Sequence, residues 1–176
     1  VWTLSLDRPD MPELLADAAG LQNGAAFAPD GRWLAYTTQE SASGATVIAG
    51  ADVYIQPFPP TGAKYPITRA DRGEGGAIPH WSPDGRTLFY RRPTVGNQVF
   101  AVDIDTASGV AFSNERPLNI RGFSIAQFFR DYDIMRDGRF VMLFPSDFDE
   151  SRETPRPQMH IVLNWFEELK RLVPTN

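Results

Sequence analysis

Histidine is scarce in this chain, and its two copies restrict the chemistry that the sequence supports. His80 stands directly before Trp81 at the start of a predicted inner strand, where it would face a channel shared by neighbouring repeats and contact a ligand. The alternative is a polar residue that lines the channel mouth or bonds to the next repeat. His160 lies in an apolar strand pattern and is interpreted as a packed or rim residue. Neither histidine has a second one at ligand spacing, so we predict no metal site and no cofactor.

Patterns for nucleophilic catalysis are incomplete. The segment closest to a Gly-x-Ser-x-Gly elbow spans residues 122–126 and lacks the second glycine. The segment 103–109 begins like a calcium loop but lacks the terminal glutamate, and we interpret it as a turn between strands. We therefore predict no catalytic residues and a chain that is not an enzyme.

Two segments that enter predicted inner strands offer a ligand-binding surface instead. Residues 71–76 precede the strand of His80, and their glycines would bring backbone amides near an anion. Residues 127–131 enter the next unit with aromatic and arginine side chains that suit a peptide or protein contact. The alternatives are a crossover between repeats for the first segment and packing between repeats for the second. The candidate ligand-binding residues are His80, Arg72, Glu74, Gln127 and Arg130.

Three near-copies of one turn indicate the elements that position these residues. They span 28–32, 82–86 and 135–139, and their aspartates, Asp30, Asp84 and Asp137, are 54 and 53 residues apart. Such a period is typical of stacked repeats. In the first two copies proline presets one backbone angle, and in all three the aspartate bonds its own backbone and glycine supplies the positive φ that closes the turn. Apolar runs on both sides of each turn predict antiparallel strands. The strands that follow the turns are largely apolar on both faces, so we expect each of them to be covered on both sides.

Each repeat consists of a strand, an Asp-Gly turn, a strand, a variable loop, a third strand and a short edge strand. Segments 1–6, 52–57, 98–103 and 158–163 align as third strands, and segments 12–15, 65–68 and 116–120 are predicted as the short edge strands. Four antiparallel strands per repeat describe a β-propeller blade. We predict an all-β fold of about three and a half four-stranded blades, a half-propeller, with a short C-terminal helix over 165–173. The predicted single arc, 1–176, comprises a partial blade (1–19), two blades (20–72 and 73–122) and a last blade with the helical tail (123–176).

Segments 27–36 and 81–90, each with a Pro-Asp-Gly turn, resemble the WD-like repeats of the TolB-type propeller family. The ending 163–170 is similar to the C-terminus of propeller domains attached to bacterial serine/threonine kinases and related sensor proteins. The resemblance implies a bacterial propeller that binds peptides, partner proteins or sugars, in a periplasmic or extracytoplasmic location. The kinase motifs themselves do not occur in this sequence. We find no signal peptide before Val1 and interpret the chain as a fragment, a processed product or a trimmed piece.

An arc of this size is expected to leave strand edges open at both ends, and open edges pair with other chains. Two arcs placed head to tail would satisfy both ends, so we expect a homodimer that closes a ring of about six blades rather than seven. The alternative is an incomplete piece whose remaining blades lie elsewhere in a longer gene.

Composition narrows the range of partners. A net charge of −5 without a basic cluster argues against nucleic acid, and no apolar run is long enough for membrane insertion. The expected function is a non-catalytic scaffold that binds a protein, peptide or other ligand. Two alternatives remain open: a propeller hydrolase or lyase (or an accessory domain of a larger hydrolase) that uses channel residues, and a sensor domain cut from a receptor kinase.

Overall fold

Antiparallel strands dominate the part of the chain that the computed structural model describes, residues 1–16, 20–39, 50–95, 98–107, 109–120 and 132–144. The chain divides into two compact units, Val1–Ser146 and Asp147–Asn176, and every described residue belongs to the first. The predicted strand 158–163 and the predicted C-terminal helix therefore lie outside the described residues. Among the described residues, no helix has the length and apolar character needed to cross a membrane.

The described strands form four antiparallel sheets. The N-terminal hairpin pairs β1 with β2, and the third-turn hairpin pairs β11 with β12. Between them along the chain, the first sheet has the order β3-β4-β5-β6 and the second the order β10-β9-β8-β7. The strand bounds are β1 Trp2–Ser5, β2 Arg8–Leu14, β3 Leu21–Phe27, β4 Trp33–Gln39, β5 Asp52–Pro57, β6 Tyr65–Pro66, β7 Ala77–Trp81, β8 Thr87–Arg92, β9 Gln98–Asp105, β10 Ala111–Pro117, β11 Tyr132–Ile134 and β12 Phe140–Met142.

The three Asp-Gly turns close hairpins as their residue types predict. Asp30, Asp84 and Asp137 each accept a hydrogen bond from the backbone amide two residues later, at 2.9, 3.1 and 3.1 Å. The glycine of each turn has a positive φ of 70°, 70° and 85°. Left-handed backbone of this kind is accessible to glycine at little cost, which explains its place in every copy.

Central strands supply the core of the two four-stranded sheets. Strand β4 is buried at five of its seven residues and β8 at three of its six, and neither strand has an exposed residue, which confirms the expectation drawn from their apolar faces. One cluster of buried side chains joins both sheets and includes Val53, Ile55, Leu88 and Tyr90. The indole of Trp81 in the second sheet also donates to the carbonyl oxygen of Ala26 in the first, at 3.2 Å. The two sheets therefore pack against each other through apolar side chains and a direct hydrogen bond.

The first strand of each four-stranded sheet bends at the same repeat position. Gly24 in β3 and Ile78 in β7 both precede their turns by four residues, and both have positive φ, 60° and 56°. The register shifts at these points, between Asn23 and Ala26 and between Ala77 and His80. A positive φ is uncommon for a β-branched residue such as isoleucine, so Ile78 is held by its surroundings.

Two predicted strand details differ from the structure. The last edge strand was expected at 116–120, whereas β10 covers Ala111–Pro117, because a bulge at Asn114 carries a polar sequence into the sheet. The predicted strand 1–6 aligns with its two counterparts one residue away from the predicted alignment. The carbonyl oxygens of Val1, Val53 and Val99 accept equivalent bonds from Leu15, Ile67 and Leu118, so Val1 corresponds to Val53 and Val99.

Candidate functional site

His80 is buried where the second sheet meets the third-turn hairpin. Its Nε2 lies 3.1 Å from the carboxylate Oδ1 of Asp133 in β11, and its ring lies 5.5 Å from that of Tyr132. Only 8% of His80 is exposed. The Asp133 carboxylate is largely exposed, so the pair has one buried and one solvated member. His80 therefore bonds to the neighbouring repeat, which was one of its two predicted roles; whether it also faces a channel stays a prediction.

Tyr132 extends this contact into a short hydrogen-bonded chain across three sheets. Its buried hydroxyl donates to the carbonyl oxygen of Ile78 at 2.9 Å. The amide of Ile78 donates in turn to Oγ1 of Thr37 in the first sheet, at 3.0 Å. Both polar groups of the strained residue are thus satisfied by neighbouring sheets, which holds Ile78 at its positive φ.

Arg72 and Glu74 lie together on an exposed turn before β7. A short 3-10 helix, Ala70–Arg72, ends at Gly73 in left-handed conformation, and Glu74 bridges back to Arg69. The amides of Arg72, Gly73 and Glu74 donate to the carbonyl oxygens of Arg69 or Ala70. These three amides are engaged within the turn, and anion binding by this segment stays a prediction.

Gly75 and Gly76 are required by close packing. A Cβ on Gly75 would lie 2.7 Å from the carbonyl oxygen of Ala51, and one on Gly76 would lie 2.7 Å from Cγ2 of Thr68. The amide of Gly76 also donates to the Ala51 carbonyl oxygen at 2.9 Å. These glycines join the two sheets at close range, which supports the crossover interpretation of this segment.

Asp52, the first residue of β5, stabilises the same turn through its side chain. Its carboxylate accepts the amide of Ala70 at 2.7 Å and the hydroxyl of Thr68 at 3.0 Å. Burial raises the pKa of Asp52 above its ordinary value, and the two hydrogen bonds oppose that effect. Gln127 and Arg130, the remaining predicted site residues, lie outside the described residues.

Sequence reasoning missed Tyr132 and Asp133 as partners of His80. The signal was present in the repeat, because Asp133 stands two residues before its turn segment, at the position that His80 holds in the preceding copy. Equivalent positions of neighbouring repeats come together when repeats stack. A groove beside the first two Asp-Gly turns, the turn-end groove, is a second feature that sequence reasoning did not predict.

This turn-end groove, of about 730 Å³, is lined by residues of both four-stranded sheets, among them Asp30, Arg32, Asp84, Arg86 and Asp105. The backbone amide of Arg32, helped by its guanidinium, lowers the pKa of Asp30. The hydroxyl of Ser82, followed by the amide of Arg86, lowers the pKa of Asp84. These carboxylates are already engaged by their own turns, and the groove presents a polar surface.

Asp103, at the start of the predicted turn 103–109, has a similar structural role. It accepts hydrogen bonds from Asn114 at 2.8 Å and from Arg116 at 3.0 Å, and in that order these groups lower its pKa. Asp105 accepts the amide of Ala107 at 2.9 Å, as a turn aspartate does. Within the described ranges, no group of three or more metal-binding side chains comes together.

Within the described part of the chain, exposed apolar side chains are concentrated on the two hairpins. Five large ones lie in the N-terminal hairpin and its turn: Trp2, Leu4, Leu6, Met11 and Leu14. Four lie in or beside the third-turn hairpin: Met135, Val141, Leu143 and Phe144. The two four-stranded sheets and their loops contribute Phe27, Val95 and Phe112. Strand β12, which follows the third turn, therefore departs from the expectation that both faces of such a strand are covered.

No protein-family model and no curated protein match the chain. Among solved structures, a candidate 6-phosphogluconolactonase from Bacteroides uniformis matches with a TM-score of 0.49 and 18% sequence identity. The match covers 80% of this chain and 39% of that one, so this chain spans well under half of that protein's length. A similarity of this size carries no argument about fold or activity.

Proposed function

We propose that the chain is a non-catalytic binding scaffold that assembles with a second copy of itself. The observation that carries the proposal is the placement of exposed apolar side chains on the first and last described hairpins of the chain, which pack against different four-stranded sheets. Exposed strand edges with apolar side chains are sites of strand pairing. Two copies placed head to tail would bring each N-terminal hairpin to a third-turn hairpin, so two identical contacts would cover four hairpins.

The finer proposal is that the sheets are blades of a TolB-like propeller arc, closed by dimerisation into a ring of about six blades. Its support is the repeat period together with the packing of one four-stranded antiparallel sheet on the next. The bacterial origin, the extracytoplasmic location and the binding of a peptide or protein partner are carried by the sequence resemblance. The sensor-domain alternative has the same resemblance as its support.

The first test is the solution mass of the purified chain, by light scattering across a dilution series. We expect a stable species of about twice 19.6 kDa. Leu4→Lys and Leu143→Lys, one in each hairpin, should each give a monomer because a buried unpaired charge is costly. Val95→Lys, at an exposed apolar residue of the short 3-10 helix Pro93–Val95 between β8 and β9, is the matched control and should stay dimeric. A monomeric parent chain, or equal disruption by the control, would contradict the proposal.

A hydrolase or lyase that uses His80 is the second candidate, and one observation favours it. The 3.1 Å approach of His80 to Asp133 is the arrangement that orients a histidine as a general base. The burial of His80 between sheets argues for a structural contact instead. A panel of chromogenic ester, lactone and glycoside substrates tests the alternative. Turnover that His80→Gln abolishes and Asp133→Asn reduces would support catalysis, whereas absence of turnover in the parent chain would not.

A further inference from the structure

We propose that β1 of one copy pairs antiparallel with β12 of the other copy, in the register that places Leu4 opposite Val141 and Trp2 opposite Leu143. The inference rests on the proposed self-association and specifies how its contact is built. The partner is a second copy of this chain, and the contact completes a four-stranded sheet from two hairpins. In this proposal the partner's β1 takes the third-strand place beside β12 for which the sequence predicts segment 158–163 of the same chain.

Central and third strands pair identically in the two complete sheets. Tyr36 lies opposite Tyr54 in the first sheet, and Tyr90 lies opposite Phe100 in the second. Both pairs are stacked aromatic rings, with centroids 6.1 and 6.0 Å apart. One residue further on, Thr37 lies opposite Val53 and Arg91 opposite Val99. The repeat therefore has one register between its second and third strands.

The hairpins supply the same two strands from opposite ends of the chain. Phe140 follows its turn arginine directly, as Trp33 and Thr87 do, so Leu143 holds the position of Tyr36 and Tyr90. Val1 holds the position of Val53 and Val99, because its carbonyl oxygen accepts the equivalent edge-strand amide. Trp2 then holds the position of Tyr54 and Phe100. Transfer of the common register places Trp2 opposite Leu143 and Leu4 opposite Val141.

Exposure provides an independent check of this register. Trp2 and Leu143 are 64% and 61% exposed, and Leu4 and Val141 are 51% and 52% exposed. The residues between them on the opposite face, Thr3 and Met142, are both half-buried. Side chains alternate between faces along a strand, so the proposed register aligns exposed with exposed and half-buried with half-buried. A slip of one residue would pair exposed apolar side chains with the opposite face.

The root of the N-terminal hairpin is anchored in its own chain, and among the described strands β1 pairs with β2 alone. Gln56 donates to the carbonyl oxygen of Leu15 at 2.8 Å, and the amine of Val1 donates to that of Ala16 at 2.9 Å. Leu15 and Ala16 pack in a buried cluster with Leu34 and Tyr36 of the first sheet. The hairpin is therefore held in position for pairing before a second copy arrives.

Cross-linking between single-cysteine variants tests the register, since the chain has no cysteine of its own. Leu4→Cys protein is mixed with Val141→Cys protein and oxidised, and a species of twice the chain mass is expected on a non-reducing gel. Residues directly opposite each other in antiparallel strands have Cα atoms about 4.5–5.5 Å apart, within the range of about 4.4–6.8 Å that a disulfide spans. Leu4→Cys mixed with Met142→Cys is the control, because these side chains lie on opposite faces and should not link. Trp2→Cys with Leu143→Cys gives a second pair if either first variant folds poorly.

Light scattering of the same mixtures tests self-association separately from the strand register. A dimer in which the control pair links and the proposed pairs do not would overturn the register and leave self-association standing. A monomer without cross-links would overturn both. The double variant Leu4→Cys/Val141→Cys is made in one chain as a final check. If it cross-links at the mass of a single chain, the hairpins meet within one copy and the two-copy contact is wrong.

Discussion

The four-stranded sheets and the hairpins are built from the same turn but differ in what covers them. The carboxylates of Asp30 in the first sheet and Asp137 in the third-turn hairpin each accept a hydrogen bond from Nε of the arginine two residues later, at 2.8 Å. The two turns are therefore locally equivalent. Strand β4 after the first turn is buried, whereas Val141 and Leu143 after the third are exposed. Turn geometry is therefore a local property of the sequence, whereas burial depends on neighbouring strands. The difference explains why we propose that function resides at the hairpins.

The largest difference is expected when one leucine is truncated in each region. Leu88→Ala, at a fully buried position of β8, should lower the free energy of unfolding by about 2–5 kcal/mol because it leaves a cavity. Leu143→Ala, measured at a dilution where the chain is monomeric, should change it by less than about 0.5 kcal/mol. Urea unfolding followed by tryptophan fluorescence measures both. Equal losses would mean that the hairpin residue is as well packed as the core of the complete sheet.

Gly24 tests how closely the complete sheets approach each other. A Cβ at this position would lie 3.2 Å from Cα of Ile78 and would require a positive φ of 60° from alanine. Gly24→Ala should cost about 1–2 kcal/mol for the left-handed backbone, and any displacement of the second sheet adds to this. Gly62→Ala is the control, since Gly62 also has a positive φ but open space around its Cβ. If both variants lose the same stability in urea, contact between the sheets contributes nothing at Gly24.

Tyr132→Phe should loosen the third-turn hairpin from the second sheet. The variant removes a buried hydroxyl and leaves the carbonyl oxygen of Ile78 without that donor, at a cost of about 1 kcal/mol. Hydrogen exchange at the amides of residues 132–134 should become faster, while the amides of β8 keep their protection. Tyr65→Phe, at a half-buried tyrosine of β6, controls for loss of a hydroxyl elsewhere. Faster exchange in both strands would show that the hairpin and the sheet open as one unit.

Local features were predictable from the sequence because they depend on few residues. The three turns, the strands beside them and the all-β class follow from Pro, Asp, Gly and alternating apolar residues. The one-residue displacement of Val1 was not predictable, since alternation in the segment 1–6 fits either register and hydrogen bonds of Leu15 decide it. The pairing of His80 with Asp133 depends on two repeats packing together across 53 positions, which strand patterns alone do not encode.

The smallest expected effect concerns the turn aspartates at low pH. The pKa of Asp84 is lowered from its ordinary value of 3.8, first by the Ser82 hydroxyl and then by the Arg86 amide. Below its ordinary pKa the unfolded chain binds more protons than the folded one, so this stabilisation is complete above that pH and is lost as pH falls through the lowered value. Asp84→Asn should change stability at pH 7 by less than about 0.5 kcal/mol and flatten the acid limb of the stability curve.

Asp137→Asn makes the same change in the third-turn hairpin, because the pKa of Asp137 is also lowered, first by the Arg139 side chain and then by the Arg139 amide. If the third-turn hairpin opens before the complete sheets, the Asp137 carboxylate is free in both states of the global transition. Its replacement should then leave the acid limb of global unfolding unchanged, whereas Asp84→Asn flattens it. Urea midpoints measured from pH 2.5 to 5 compare the two variants with the parent chain. An equal flattening by both would mean that the hairpin unfolds together with the complete sheets, and the contrast between the two regions would then be limited to side-chain exposure.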